Sequence, residues 1–273
     1  MPEPKEVFDD SFRIAKLLLQ IYRLLENEGL VTEGEQIEQL RKVLATTAHE
    51  HLQLLLNGVF LGCIRERADV PAASLGAPSL SNLLRQAVVS ACTAYEAYLS
   101  ALLAKHIFTV IEVKQHEFFP TDKEVADYFK ELSLTIGESF RLLSNEERAV
   151  FLGNKIVSFV RGKNLGSVAG LKTVGLLLGL TQPWDQVAEH LNRDVRDVRR
   201  PVNECIERRN AIVHRGDRNP EAETLEKQHI GLAWTLQAVE TIGHVCFALD
   251  EIVAVRMREF QEMLTNRSEG VHA

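Results

Sequence analysis

From Leu80 to Phe108 apolar side chains return every third or fourth residue, at Leu84, Val88, Ala91, Tyr95, Leu99 and Leu102. Each helical residue turns by about 100°, so that spacing keeps one face of a helix buried and restricts the chain to folds that cover a long helix. A neighbouring stripe carries Arg85, Val89, Cys92 and Glu96. Phe8, Phe12, Ala15, Leu18, Leu19, Tyr22 and Leu25 repeat the pattern between about 7 and 27, and Glu28-Gly29 stops it. Thr32 with Glu35 forms a capping-box pattern ahead of Ile37, Leu40, Leu44, Ala48, His51, Leu55 and Val59. These two segments predict a helical hairpin over residues 1–70, with a role in assembly or regulation.

Pro71-Ala-Ala-Ser-Leu-Gly-Ala-Pro-Ser79 concentrates Pro, Gly and small residues after the charged Arg65-Glu-Arg-Ala-Asp69, and predicts a linker over 71–79. A helical domain is expected over 80–265 and a flexible tail over 266–273. Capping patterns at Thr121-Asp-Lys-Glu124 and Ser144-Asn-Glu-Glu147 predict helices near 122–133 and 145–161. Loop is expected over 162–167, a short apolar helix over Leu171–Leu178, and another from Pro183-Trp184 to near Leu191. Longer helices follow over Val195–Val213 and over Leu225–Met263, the last through Ile230, Trp234, Val239, Ile242, Phe247 and Ile252. Aromatic residues make up only 7% while Leu, Ala, Glu, Val and Arg are plentiful, which favours helix over sheet. The expected class is all-α: a helical bundle preceded by a helical hairpin.

With 273 residues, 45% of them hydrophobic, the chain can bury a sizeable core. Its net charge of −7 argues against coating nucleic acid non-specifically, which needs many cation contacts to phosphate, but leaves room for a local basic groove. Cys63, Cys92, Cys205 and Cys246 lie far apart in apolar stretches without a CxxC pair, as buried free thiols do. Met1-Pro-Glu-Pro-Lys-Glu lacks a basic n-region and apolar run, so the expectation is a cytoplasmic chain. Leu54 to Ile64, read as the most apolar run, is shorter than the roughly 20 residues that span a bilayer, so no membrane association is expected. The Asn266-Arg-Ser268 sequon then carries no glycan.

Gly166-Ser-Val-Ala-Gly-Leu-Lys-Thr173 resembles a phosphate-binding loop, but Leu171 separates glycine from lysine and no strand is expected before it. His49-Glu50-His51 places two imidazoles at i and i+2, on different sides of a helix, where metal pairs use i and i+4. His244 reads as a core histidine without a function.

Arg208-Arg209-Asn210-Ala211-Ile212-Val213-His214-Arg215-Gly216-Asp217 is different, because it gathers cations, a base titrating near neutrality and a helix-stopping glycine. Histidine can take a proton from a ribose hydroxyl or return one, and arginine can hold phosphate oxygens and offset charge gained in a transition state. Asn210 and His214 share a helix face at i and i+4, while Arg209 points about 140° away from His214 and must reach around. From Arg193 to Arg218 eight arginines face five carboxylates, a local excess of three positive charges on an acidic chain. On residue types alone, solvated cations stabilising a helix C-terminus and a phosphate site both remain open.

The spacing of Arg209 and His214, with Asn210 directly after the arginine, resembles the Arg-x4–6-His motif of the HEPN superfamily of helical ribonucleases and toxins. Ala87 to Leu99, with Tyr95-Glu96, resembles the first core helix of that superfamily. Trp184 to Ala188, Val198 to Ile206 and Glu207 to Asp217 resemble its RiboL-PSP-HEPN branch, so the likeness covers roughly residues 80–260. The resemblance implies metal-independent RNA cleavage without a cofactor, in homodimers or higher even oligomers that bring two Arg-His motifs to one cleft. It implies Arg209, Asn210 and His214 as catalytic residues, with Glu96, Arg208 and Arg215 as supporting candidates. RNA is the implied substrate, and an antitoxin or a defence-complex subunit the implied partner. A non-catalytic RNA-binding or scaffold subunit is the competing expectation.

Overall fold

A computed structural model of the chain describes residues 3–26, 77–115, 126, 130–144, 148–163, 165–219 and 226–270. The fold is all-α. Eight helices stand among the described residues: α1 Pro4–Glu26, α2 Ala77–Lys114, α3 Ile136–Ser144, α4 Arg148–Arg161, α5 Val168–Leu177, α6 Pro183–His190, α7 Val195–Arg215 and α8 Leu232–Gly270. An isolated antiparallel bridge joins Arg218 to Lys227.

Local chemistry explains most helix ends. The Ser167 side chain accepts from the Gly170 amide at 3.0 Å and caps α5, while Pro183 opens α6 where a missing amide costs nothing. Trp184 Nε1 donates to the Val168 carbonyl at 3.0 Å and ties α6 to α5. At α3 the Thr135 and Glu138 amides each donate to the other's side chain, at 2.8 and 3.2 Å, in a full capping box. Lys155 and Thr135 together hold the Glu138 carboxyl down to about 2.

Several boundaries differ from the expected ones. The helix expected near 122–133 falls mostly outside the described residues, and 132–135 are not helical. A capping box forms at Thr135 and Glu138, whereas those expected at Thr121–Glu124 and Ser144–Glu147 involve positions outside the described residues. Helix α2 begins at Ala77, inside the expected linker, and runs on to Lys114. Helix α8 begins at Leu232 rather than Leu225, because Gln228 and its neighbours are drawn into the bridge with residues 217–218, and it continues to Gly270 through positions expected as tail. The second helix expected for the hairpin, with His49-Glu50-His51 and Cys63, lies outside the described residues.

The chain divides into two compact units. One unit is made of Met1–Asp10, Cys92–Glu207 and Thr241–Ala273. Its core gathers Tyr95, Tyr98, Leu99, Leu102, Leu103 and Ile107 of α2 with Ile156, Leu171, Leu177 and Leu249. The start of α1 docks there: the Phe8 ring meets Tyr98 and Phe247 edge-on, with centroids 5.9 and 5.6 Å away. Cys92, Cys205 and Cys246 are free and buried, as expected, and the Cys92 and Cys205 sulfurs lie 3.6 Å apart. The contact with Cys92, and then burial, push the Cys205 thiol well up; burial does the same to Cys246. His244 corrects its expected place, because it sits on the exposed side of α8 between buried Gly243 and Val245.

The other unit is made of Ser11–Ala91 and Arg208–Glu240. Phe12, Ala15, Leu19, Leu84, Val88, Ala211, Ile230 and Val239 are among its buried apolar residues. Helix α2 contains a stretch, Leu80–Lys114, long and apolar enough to cross a membrane; 61% of its most apolar window is already buried inside the protein, which accounts for its apolarity.

Candidate functional site

Helix α7 carries the Arg-His motif at its C-terminal end. The Asp194 carboxylate opens the helix by accepting from the Arg196 amide at 2.8 Å. Val198, Val202, Cys205 and Ile206 form its buried face, and Arg196, Arg199, Arg200, Asn203 and Glu207 are exposed. Pro201 sits inside the helix and cannot donate to the Asp197 carbonyl four residues back. Arg193 replaces that donor: its Nη2 reaches the Asp197 carbonyl at 3.0 Å. Local repair explains why the helix runs through a proline to Arg215.

The helix ends in two successive left-handed residues, Gly216 at φ +58° and Asp217 at φ +63°. Glycine takes this conformation freely, whereas for aspartate it costs energy that the surroundings must repay. The Asp217 amide donates to the Ala211 carbonyl at 2.9 Å, and its own carbonyl accepts from the Gln228 amide at 2.8 Å. Its carboxylate is 0% exposed. Arg85 Nε donates to Oδ2 at 2.5 Å and Arg208 Nη2 to the same oxygen at 2.9 Å, while Arg208 Nε stands 2.7 Å from Oδ1. That last approach is an ion pair without hydrogen-bond geometry, and other guanidinium donors are used as well. Arg85 reaches Ser81 Oγ and the Gln228 carbonyl; Arg208 reaches the Gln228 and His229 carbonyls and stacks 5.9 Å from the Trp234 ring.

On this frame the motif residues divide by exposure. His214 and Arg215 are exposed in the last turn of α7, and Val213 beside them is 51% exposed. Arg209 and Asn210 are half-buried, and Arg209 Nη1 donates to Asn210 Oδ1 at 3.0 Å. The arginine that had to reach around the helix does so onto its neighbour's amide. Among the described residues His214 has no hydrogen-bond or ion-pair partner, and it is exposed. Arg208, expected as a supporting residue, is committed to Asp217. Glu96 is half-buried on α2 in the first unit, whereas Arg209, Asn210 and His214 belong to the second.

The Arg85–Asp217–Arg208 cluster was not anticipated. Its signal was a charged Arg85 in a stripe with Val89 and Cys92, where a partly buried cation needs a carboxylate partner. The phosphate-loop-like segment serves packing instead: Ser167 caps α5, and Gly170 lies against the Leu165 backbone. A cleft of about 720 Å³ lies in the first unit beside Leu180, Gln186, His190, Val255 and Arg256, with the His190–Glu251 pair at 2.9 Å. Among the described residues no three His, Cys, Asp or Glu side chains gather as a metal site. No protein-family model matches the chain, and no curated protein or solved structure matches it either.

Proposed function

We propose that the protein is a metal-independent endoribonuclease of the HEPN type, acting in the cytoplasm as a homodimer or higher even oligomer in a toxin–antitoxin or antiviral defence setting. The observation that supports this most is an exposed imidazole, His214, held in the last turn of α7 one helical turn from the Arg209–Asn210 pair. A base open to solvent beside a polarised guanidinium suits a polyanion that must be approached, held and deprotonated at one point.

In this mechanism neutral His214 takes the proton of a ribose 2′-hydroxyl. The 2′-oxygen attacks the adjacent phosphorus and forms a P–O2′ bond as the P–O5′ bond breaks. The leaving 5′-oxygen takes a proton from an imidazolium, His214 of the second copy, so protons and electron pairs balance. Arg209 of each copy offsets the charge gained on the phosphoryl oxygens. The products are a 2′,3′-cyclic phosphate and a 5′-hydroxyl. Asn210, through its bond to Arg209, fixes the guanidinium that meets the phosphate.

The test is cleavage of RNA by purified protein, with EDTA present and with a 2′-deoxy nucleotide at the cut. Activity should survive EDTA, stop at the deoxy position, and leave a cyclic phosphate on the upstream fragment. His214→Ala should abolish cleavage while the melting temperature stays within a few degrees, because an exposed side chain contributes little packing. RNA binding without cutting would support the scaffold alternative, and Mg²⁺-dependent cutting that leaves a 3′-hydroxyl would refute the mechanism.

A further inference from the structure

Among the described residues Arg85 and Asp217 are the two charged side chains that are buried, and both belong to one cluster. That cluster meets immediately after His214. Its carboxylate sits three residues beyond the imidazole, on a residue forced into a left-handed conformation, with both backbone polar groups bonded across the turn. The hydrogen bonds of the cluster reach Ser81 on α2, residues 208–217, Gln228 and His229, and Arg208 also stacks on Trp234 of α8, so the turn is tied to the start of α2 and to the segment that leads into α8. A helix end that only needed to stop could do so with Gly216 alone.

We propose that Asp217 is the positioning residue of the site: through Arg85 and Arg208 it locks the turn that aims His214. The inference rests on the ribonuclease reading for its catalytic consequence, and on the geometry alone for the lock. The cluster assigns two adjacent arginines to different tasks, Arg208 to the frame and Arg209 to the substrate. General acid–base transfer requires the imidazole within hydrogen-bond reach of its proton, and a displacement of an ångström costs orders of magnitude in rate. An exposed histidine has no packing of its own to supply that accuracy, so the turn must supply it.

Hydrogen exchange and steady-state cleavage by the full chain test this, in Asp217→Asn and, should that variant not fold, in Arg85→Lys. Asp217→Asn keeps the side chain's shape and removes its charge. Amides of residues 211–217 should exchange at least tenfold faster while those of α5 and α6 keep their rates. Turnover should fall ten- to hundredfold, with KM within about twofold, because Arg209 and Asn210 still meet the phosphate. The His214 ring resonance should move in the same variant without RNA present. Unchanged local exchange with an unmoved His214 signal overturns the lock. Faster local exchange with full turnover, or acceleration across the whole chain, overturns the positioning role and leaves Asp217 a stability residue. If unaltered protein does not cut RNA, the ribonuclease reading falls, and the exchange and His214 signals still decide whether Asp217 aims the imidazole.

Discussion

Two helical glycines respond in opposite directions to the same methyl group. A Cβ built on Gly170 would lie 2.0 Å from the Leu165 carbonyl oxygen, 2.7 Å from its carbon and 2.9 Å from its Cα. These are backbone atoms, so no rotamer change relieves the clash and the first turn of α5 must move by more than an ångström. That movement also pulls on the Ser167 cap at 3.0 Å and on the Tyr95 hydroxyl that donates to the Ser167 carbonyl at 3.2 Å. Overpacking costs about 1–3 kcal/mol and a lost cap about 1 kcal/mol more, against at most about 1 kcal/mol gained in helix propensity. Gly170→Ala should therefore destabilise the protein by about 2–3 kcal/mol. Gly137, in the first turn of α3, has nothing within 4 Å of the same methyl position. There the propensity gain stands alone, and Gly137→Ala should stabilise by about 0.5–1 kcal/mol. Urea unfolding of the two variants beside the parent measures both. A Gly170→Ala protein with the parent's midpoint and slope would refute the steric argument, and a destabilised Gly137→Ala would refute the comparison.

Pro201→Ala restores the donor to the Asp197 carbonyl and should stabilise α7 by about 1–2 kcal/mol; Arg193→Ala should cost about 1 kcal/mol with the proline and almost nothing without it, and strict additivity in that double-mutant cycle would refute the repair. Burial first, and Lys105 next, hold the His106 ring down to about 4, although Glu3 pulls the other way. Its unfolded value near 6.5 means that the folded state refuses a proton the unfolded chain accepts, so stability is full above about pH 6.5 and falls between there and pH 4. The shift alone would be worth about 3 kcal/mol, and the ring's partial exposure reduces that to about 1–2 kcal/mol. Denaturant midpoints at pH 7 and 4.5 should converge in His106→Gln, and an unchanged pH slope would rule the histidine out. Because the Cys92 contact and burial raise the Cys205 thiol, its peptide should resist alkylation at pH 8 until denaturant is added; rapid native labelling would contradict the packing.

Helices with a complete apolar stripe were legible, and those ended by side-chain chemistry were legible to within a turn. Leu84, Val88, Ala91, Tyr95, Leu99 and Leu102 are all buried, as their spacing required. The misplaced start of α8 has a specific cause. Ile230 is buried, which continues the periodic pattern, but it is buried from an extended segment whose neighbour Gln228 is spent on Asp217. Periodicity reports burial and not the hydrogen bonds that produce it. The capping box at Thr135 and Glu138 was present in the sequence and went unread; it opens a helix of only nine residues, in which Ile136 and Phe140 face solvent. His244 failed for the opposite reason, as an apolar setting in sequence placed it among buried neighbours on the wrong face.

At the site, sequence located the motif and set Arg209 apart from Arg208, but not the carboxylate that occupies Arg208. Arg208 and Arg209 are adjacent, so about 100° of helix separates them and they cannot address the same object. The interior side meets a buried carboxylate, where an unpaired guanidinium would be costly and a paired one fixes geometry. On the outer side, Arg209 is half-buried and donates to Asn210, and His214 is exposed in the turn that follows. Arg208 and Asp217 cancel within the local count, so the excess of three positive charges from Arg193 to Arg218 is carried by the other arginines. What distinguishes the two arginines is a residue on another helix and a glycine-led turn beyond the motif, neither of which a short pattern contains. The turn after the motif is thus held by a contact between residues 85 and 217, far apart in the chain.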